Sequence, residues 1–202
     1  MKVNDFEYKI GNHKIGRDTL IFNMDSATDC RSKELGLCEV CKAGKVCYAL
    51  KAEIQYKQTL PFRRRQAEYW SSHSALIIAL DIIDALQKHK KIKYIRFNES
   101  GDFRKQFDIT KMKLVATTVA EKMHHSYGRD IRFYGYTARK DLSFGLVYDC
   151  PSLVLNGSGF YLDNKFTAVK ELTEGKKHSK GDCRVCNYCK EFGKYDIEIL
   201  YH

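Results

Sequence analysis

Seven of the eight cysteines in this 202-residue chain lie in two short groups, and no other feature constrains the fold as strongly. The first group reads C-x7-C-x2-C-x5-C and the second reads C-x2-C-x2-C. Thiolates packed this closely repel one another unless a cation lies between them or they are oxidised in pairs. We therefore predict that these cysteines hold metal; they are Cys30, Cys38, Cys41, Cys47, Cys183, Cys186 and Cys189.

The spacing favours an iron–sulfur cluster. Runs of C-x2-C-x2-C are typical of ferredoxins, whereas structural zinc sites use four ligands, commonly in two paired knuckles. Cys30 has no close partner, and the second group offers three cysteines. We predict one or two 4Fe-4S clusters, with zinc, disulfides and reactive thiols as open alternatives.

Three further features bear on compartment and partners. The N-terminus lacks the apolar segment of a signal peptide, and no apolar run approaches the ~20 residues of a membrane span. We therefore expect a cytoplasmic protein with no membrane partner, in a reducing compartment where clustered cysteines more often bind metal than form disulfides. The net charge of +10 suits nucleic acid or an anionic small molecule, and charge balance around anionic metal sites explains it equally well.

Strand and helix patterns alternate between the two cysteine groups. This alternation predicts a parallel sheet with helices on one side, either a partial β/α barrel or an open curved sheet. Four β–α units are too few for a closed eight-stranded barrel. We expect one domain over 1–202, with a β/α core at 18–160 and a C-terminal extension at 161–202. The predicted strands cover 19–23, 92–97, 130–134 and 152–155, with edge strands at 160–162 and 167–169, a mobile basic loop at 176–180 and a last strand at 197–201.

The predicted helices begin at Tyr48, at Pro61 and after the candidate caps Ser71 and Ser72, and a fourth covers about 108–124. The third helix would bury Leu76, Ile77, Leu80, Ile83 and Leu86 as one apolar face. An arginine run at 63–65 either contacts phosphates or forms the solvated face of its helix. Cys150, at the start of a strand, is expected to be a core thiol.

Polar residues follow the predicted strands, and the carboxyl ends of parallel strands line the functional face of α/β proteins. We predict that Glu99 and Asp102 bind a polar group of a substrate or carry protons, and that Tyr136 and Arg139 complete a catalytic site. Cofactor-binding candidates are Ser100, Gly101, Asn156 and Ser158. The alternatives are a turn and helix cap for Asp102, a packing role for the tyrosine, and plain turns for the glycine-rich ends.

The order of four motifs resembles the phage gene product 88 family. They are Cys47-Tyr48-Ala49, the segment 96–103 (RFNESGDF), the segment 133–137 (FYGYT) and the C-terminal cysteine triplet. The resemblance covers about Cys30 to Cys189, and it implies that the protein is located in the cytoplasm of a host cell. It also implies a likeness to radical S-adenosylmethionine enzymes, in which cysteines follow the first strand of a barrel-like fold. Those enzymes use C-x3-C-x2-C, which is missing between Cys30 and Cys47, so no motif here supports S-adenosylmethionine binding.

Two functions follow as hypotheses. The first is a phage-type iron–sulfur protein that acts as an enzyme on a small molecule or nucleotide, at a cluster on the C-terminal face of the sheet. The second is a non-catalytic nucleic-acid-binding module that zinc or clusters stabilise. Whether the chain is a catalyst is left open by the sequence.

Overall fold

The computed structural model describes residues 5–12, 14–45, 47–148 and 150–200. Its strands form one mostly parallel sheet in the order β1-β2-β3-β4-β5-β6-β8-β7. Only β1 runs antiparallel to its neighbour among the described pairs. The mixed α/β architecture is thereby confirmed, while curvature into a partial barrel stays a prediction. The strands are β1 (Lys9–Ile10), β2 (Thr19–Phe22), β3 (Tyr94–Phe97), β4 (Arg132–Thr137), β5 (Leu153–Ser158), β6 (Asn164–Val169), β7 (Lys177–His178) and β8 (Asp196–Leu200).

Six α-helices lie in the described residues: α1 (Arg31–Glu34), α2 (Glu39–Lys42), α3 (Tyr48–Gln55), α4 (Thr59–Ser72), α5 (Ala75–Lys88) and α6 (Gln106–Tyr127). Pro61 lies in the first turn of α4, where its missing N–H has no helical acceptor to lose. Ser74 caps α5, since its hydroxyl accepts a hydrogen bond of 3.3 Å from the Ile77 backbone N–H. The predicted caps Ser71 and Ser72 are wrong, because both residues are still helical in α4. None of the helices in the described ranges has the length and apolar character of a membrane span.

The apolar face predicted for α5 is only partly correct. Ile83 and Leu86 are buried as expected, whereas Leu76, Ile77 and Leu80 are exposed. The helix is apolar on most of its circumference, so residue spacing does not decide which side meets the sheet. The buried side also contains Ile78, Ala79, Ile82 and Ala85.

The main core lies between α4, α5 and α6 and one face of the sheet. Ile95, Phe97, Phe133, Leu153 and Leu155 supply the sheet side of this core, and Cys150 is buried in it, as predicted. Successive side chains of a strand point to opposite faces. The alternate residues therefore form a second face, here called the tyrosine face, which consists of Tyr94, Arg96, Tyr134, Tyr136, Val154 and Asn156.

The C-terminal extension continues the sheet and covers part of the tyrosine face, where Tyr134, Val154 and Asn156 are buried while Tyr94, Arg96 and Tyr136 are half-buried. Cys189, Phe166 and Ile197 pack there against Tyr134 and Val154 in a second, smaller apolar cluster. The predicted strand at 167–169 lies within β6, but β6 is an interior strand between β5 and β8 and not an edge strand. The predicted strand at 160–162 is wrong, and β7 lies within the predicted basic loop. A strand of two residues has no local sequence signal. Pairing with β8, in which Lys177 lies opposite Ile197, defines β7 instead. Tyr201, predicted to end the last strand, lies outside the described residues.

Candidate cysteine, tyrosine and arginine site

Asp102 joins three loops at the carboxyl ends of the strands. Its carboxylate accepts hydrogen bonds from the Ser32 hydroxyl (2.6 Å), the Thr137 hydroxyl (2.7 Å) and the backbone N–H groups of Phe103 and Ala138 (2.8 Å each). The side chain is buried, and this burial raises the pKa of the carboxyl. The Ser32 bond connects the loop after β3 to the first cysteine loop, and the Thr137 and Ala138 bonds connect it to the end of β4. This arrangement positions the loops, while a catalytic role for Asp102 stays a prediction.

Ser100 and Gly101 fix the same loops through backbone contacts. The Ser100 N–H donates to the Asn23 side-chain oxygen at 2.9 Å, and the Ser100 hydroxyl donates to the Asp25 carbonyl oxygen at 3.2 Å. Gly101 has φ +71°, and a Cβ added there would lie 2.5 Å from the Asp25 carbonyl carbon. Only glycine fits this conformation and this approach. These two predicted cofactor-binding residues thus contact the loop that follows β2.

Glu99 is bound to groups of the chain itself. Its carboxylate accepts a hydrogen bond of 3.2 Å from the Asn12 amide and forms an ion pair of 3.6 Å with Arg63. Arg63, which is 4% exposed, also donates to the Glu53 carboxylate and to the Ala49 carbonyl oxygen, both at 2.9 Å. Arg63 is therefore a buried structural residue that attaches α4 to α3 and to the β3 loop.

The remaining arginines of the 63–65 run are also paired. Arg64 donates two hydrogen bonds to Asp29, at 2.8 and 2.9 Å, and Arg65 contacts Glu7 at 3.0 Å. Hydrogen bonding from Arg64 is the main cause that lowers the pKa of Asp29 to about 2. Each of the three arginines thus has a carboxylate partner within the chain.

Arg139 is 4% exposed and is engaged in the same way. Its guanidinium donates to both carboxylate oxygens of Asp141 at 2.8 Å, to the Phe103 carbonyl oxygen, and to the Arg104 carbonyl oxygen at 3.2 Å. These bonds hold the end of β4 against the β3 loop. The predicted anion-binding role of Arg139 stays a prediction, and the contacts favour a structural one.

Asn156 attaches the second cysteine group to the sheet. Its amide nitrogen donates to the carbonyl oxygens of Gly135 and Cys189, both at 3.0 Å, and its oxygen accepts from Asn164 at 3.0 Å. Asn164 in turn donates to the Tyr188 carbonyl oxygen at 3.1 Å, and both asparagines are fully buried. Asn164 was not among the residues that the sequence motifs indicated. Ser158 is half-buried at the last position of β5.

The second cysteine group lies beside a tyrosine. Cys189 is buried in the smaller apolar cluster, and Cys183 and Tyr136 pack against that cluster. Hydrogen bonding with Cys189 is the main cause that lowers the pKa of Cys183 to about 6, with help from the nearby charges of Arg96 and Lys190. The same interaction raises the pKa of Cys189 well above its usual value. Each of the two thiols thus shifts the pKa of the other.

The first cysteine group contains a second pair. The Cys41 thiol donates to Cys38, and Cys47 lies near enough to act on Cys41 electrostatically. Burial is the main cause that raises the pKa of Cys41 to about 12, followed by the influence of Cys38 and Cys47. Cys30 lies apart from these three, near Asp102, and burial raises its pKa to about 12. A cavity of about 230 Å³ adjoins Cys30.

The described residues contain no group of three or more cysteine, histidine, aspartate or glutamate side chains arranged to hold a metal ion. The thiols instead meet in two pairs, and Cys186 is half-buried in the turn between Cys183 and Cys189. Cysteine sulfurs are soft donors, and soft donors are the usual ligands of zinc and of iron–sulfur clusters.

Arg96 lies between the two cysteine groups. Its guanidinium donates to the Tyr48 hydroxyl at 3.2 Å, and Tyr48 directly follows Cys47. On its other side the guanidinium carbon lies 5.3 Å from the ring centre of Tyr136, the residue that contacts Cys189. Sequence reasoning missed Arg96 and Tyr48 as site residues. The sequence contains two indications of them. Arg96 lies two positions after Tyr94 in β3 and therefore on the same face of the sheet, and Tyr48 directly follows a cysteine.

Another cavity, of about 620 Å³, lies at the opposite edge of the sheet. Lys93, Arg132 and Ser152, next to or at the amino ends of β3, β4 and β5, line it together with His124 and His125 of α6. It contains none of the predicted catalytic residues or metal ligands. The strand-end loops and the tyrosine face, near which the cysteines and the predicted polar residues lie, are therefore the candidate site.

Comparison with known proteins gives one family. The family model described as gene product 88 matches residues 7–156, which include the first cysteine group, the β3 loop and the whole tyrosine face. The second cysteine group lies outside the matched range. No curated protein and no solved structure matches the chain.

Proposed function

The chain belongs to the gene product 88 family, and on this basis we propose that it is an iron–sulfur protein that acts on a small molecule or nucleotide. The substrate would bind at the tyrosine face and the adjoining strand-end loops. The observation that carries the proposal is the packing of Cys183 and Cys189 in one cluster with Tyr136, over whose ring Arg96 lies.

The chemistry of this pair favours a positively charged ligand. Two sulfurs in contact gain little from both being deprotonated, unless a cation neutralises the second charge. The pair lies on a buried face, next to cationic groups of Arg96 and Lys190, where Cys183 loses its proton near neutral pH. Thiolates are the ligands that iron–sulfur clusters use.

We propose that Cys183, Cys186 and Cys189 bind one cluster and that the first cysteine group binds a second or shares the first. A bound cluster would supply electron transfer or an open iron that polarises a substrate. The residues of the chain then have other tasks. Asn156 fixes the Cys189 backbone, and Tyr136 donates a hydrogen bond to the Cys189 sulfur, which tunes the electron density on that ligand.

Anaerobic purification followed by iron, sulfide and zinc analysis tests this proposal. We expect a brown protein with about four or eight irons and matching sulfide per chain. Cys183→Ser should remove iron, while Cys150→Ala should keep it, because Cys150 is a buried thiol on the helix side of the sheet. A colourless protein with stoichiometric zinc would overturn the iron–sulfur assignment.

Nucleic-acid binding is the second candidate, and the overall charge of +10 is the observation in its favour. The arginine run at 63–65 does not add to it, because all three guanidinium groups are paired with carboxylates. Binding to DNA or RNA that weakens steeply with salt would favour this function. The enzyme proposal requires no such binding.

A further inference from the structure

The guanidinium of Arg96 is short of hydrogen-bond acceptors. A guanidinium carries five N–H donors, and within the described residues only one bond from Arg96 is present, to the Tyr48 hydroxyl at 3.2 Å. Its Nε atom is buried without any partner in the described part of the chain. Buried donors of this kind are normally satisfied. An acceptor from outside the chain would complete the arrangement.

The charge of Arg96 is also unpaired, unlike that of most arginines in the described residues. Arginines 31, 63, 64, 65, 104, 139 and 184 each lie within 4.0 Å of a carboxylate. Among the ion pairs of the described residues none includes Arg96. Glu99, the nearest acidic candidate, is bound by Arg63 and Asn12. The rings of Tyr134 and Tyr136, at 6.0 and 5.3 Å, offset the charge only in part.

The Tyr48 hydroxyl beside Arg96 has no proton left for a ligand. It accepts the hydrogen bond from the Arg96 guanidinium at 3.2 Å and donates its own proton to the Glu99 carbonyl oxygen at 2.5 Å. Tyr48 exposes 50% of its surface and Arg96 is half-buried, so this part of the tyrosine face is open to solvent. The free donors there belong to Arg96.

We propose that Arg96 binds an oxyanion, a carboxylate or a phosphate, of the small-molecule substrate at the tyrosine face. The planar fork of a guanidinium matches two oxygens of either group. Tyr48 and the Tyr136 ring hold the guanidinium between the two cysteine groups, so a molecule bound there lies next to both. This inference rests on the proposed function only for the location of the substrate, and it does not require a bound cluster.

Titration of the full-length protein with inorganic phosphate and, separately, with acetate tests the proposal. The readout in the unchanged protein is the ¹⁵N side-chain resonance of Arg96 Nε–H, assigned by its loss in Arg96→Lys. The backbone amide resonances of Phe97 and Tyr136 report the affinity in the Arg96 variants, which lack that Nε–H. We expect a saturable shift with one of the two anions, and the anion that gives it identifies the source. Arg96→Gln should weaken that binding at least tenfold, whereas Arg96→Lys, which keeps the charge without the fork, should weaken it less.

Arg132→Gln is the matched control, because Arg132 precedes Tyr134 on the same face of β4 but at the opposite strand end, where it donates to the Lys190 carbonyl oxygen. Its anion affinity should equal that of the unchanged protein. Equal affinity in Arg96→Gln, or no saturable shift with either anion, would overturn the inference. Iron analysis of the same samples separates the two proposals. Anion binding in an iron-free protein would support the Arg96 site and reject the cluster.

Discussion

Replacement of Asp102 by asparagine distinguishes a structural from a catalytic role for this residue. The carboxylate accepts two hydrogen bonds on each oxygen, from Ser32 and Ala138 on one and from Phe103 and Thr137 on the other. In Asp102→Asn one oxygen remains an acceptor. The new NH₂ group faces a hydroxyl, which can rotate to accept, and the Ala138 N–H, which cannot.

The expected loss of stability follows from this count. An orphaned buried N–H costs about 1–3 kcal/mol, and bonds to a neutral acceptor are weaker than bonds to a carboxylate. The raised pKa of Asp102 shows that its buried charge is itself unfavourable, and the amide removes that cost. We therefore expect a net loss of about 2 kcal/mol in the free energy of unfolding, or about 4–8 °C in Tm for a chain of this size.

Urea unfolding followed by circular dichroism measures this loss. Asp130→Asn is the control, because the Asp130 side chain is 92% exposed and contacts His124 alone among the described ion pairs; it should stay within about 0.5 kcal/mol of the unchanged protein. A variant at Asp102 as stable as that control would refute the structural reasoning. If such a variant also lost activity, the catalytic prediction for Asp102 would gain support.

Three further predictions concern the loops and the C-terminal segment. Gly101→Ala should lower the free energy of unfolding in urea by about 3 kcal/mol or more, because the new Cβ would lie 2.5 Å from the Asp25 carbonyl carbon. Gly128 has a similar φ of +60° but open space around it, so the control Gly128→Ala should cost about 1 kcal/mol. Equal losses in the two variants would contradict the predicted clash at Gly101. Asn156→Ala should cost about 2–3 kcal/mol and expose residues 183–190 to limited proteolysis, since it orphans the Cys189 carbonyl oxygen, whereas exposed Asn187→Ala should do neither. The pKa of Asp29 is lowered to about 2 in the folded protein, so its ionised form stabilises the fold above about pH 4, the pKa of the unfolded chain. This stabilisation, about 1 kcal/mol after solvent screening, should be lost as the pH falls towards 2. Asp29→Asn should abolish this part of the acid dependence of stability.

Much of the fold could be predicted from the sequence because its signals are local. The alternation of strand and helix patterns gave the parallel sheet, and β2, α3, α6 and β5 lie close to where the pattern placed them. Elements that depend on distant partners were missed. The short strand β7 exists only through its pairing with β8, and α5, apolar on most sides, turns Leu76 and Leu80 towards solvent.

The candidate site shows the same division. The cysteine spacing indicated a thiolate site, and the polar strand ends indicated the loops that meet at one edge of the sheet. The sequence could not reveal that Asp102 and Arg139 satisfy their hydrogen bonds within the chain, nor that Arg96 does not. A residue type fixes how many donors and acceptors a side chain has. Only the tertiary structure, which brings β3, β4 and the two cysteine groups together, decides which of them find partners.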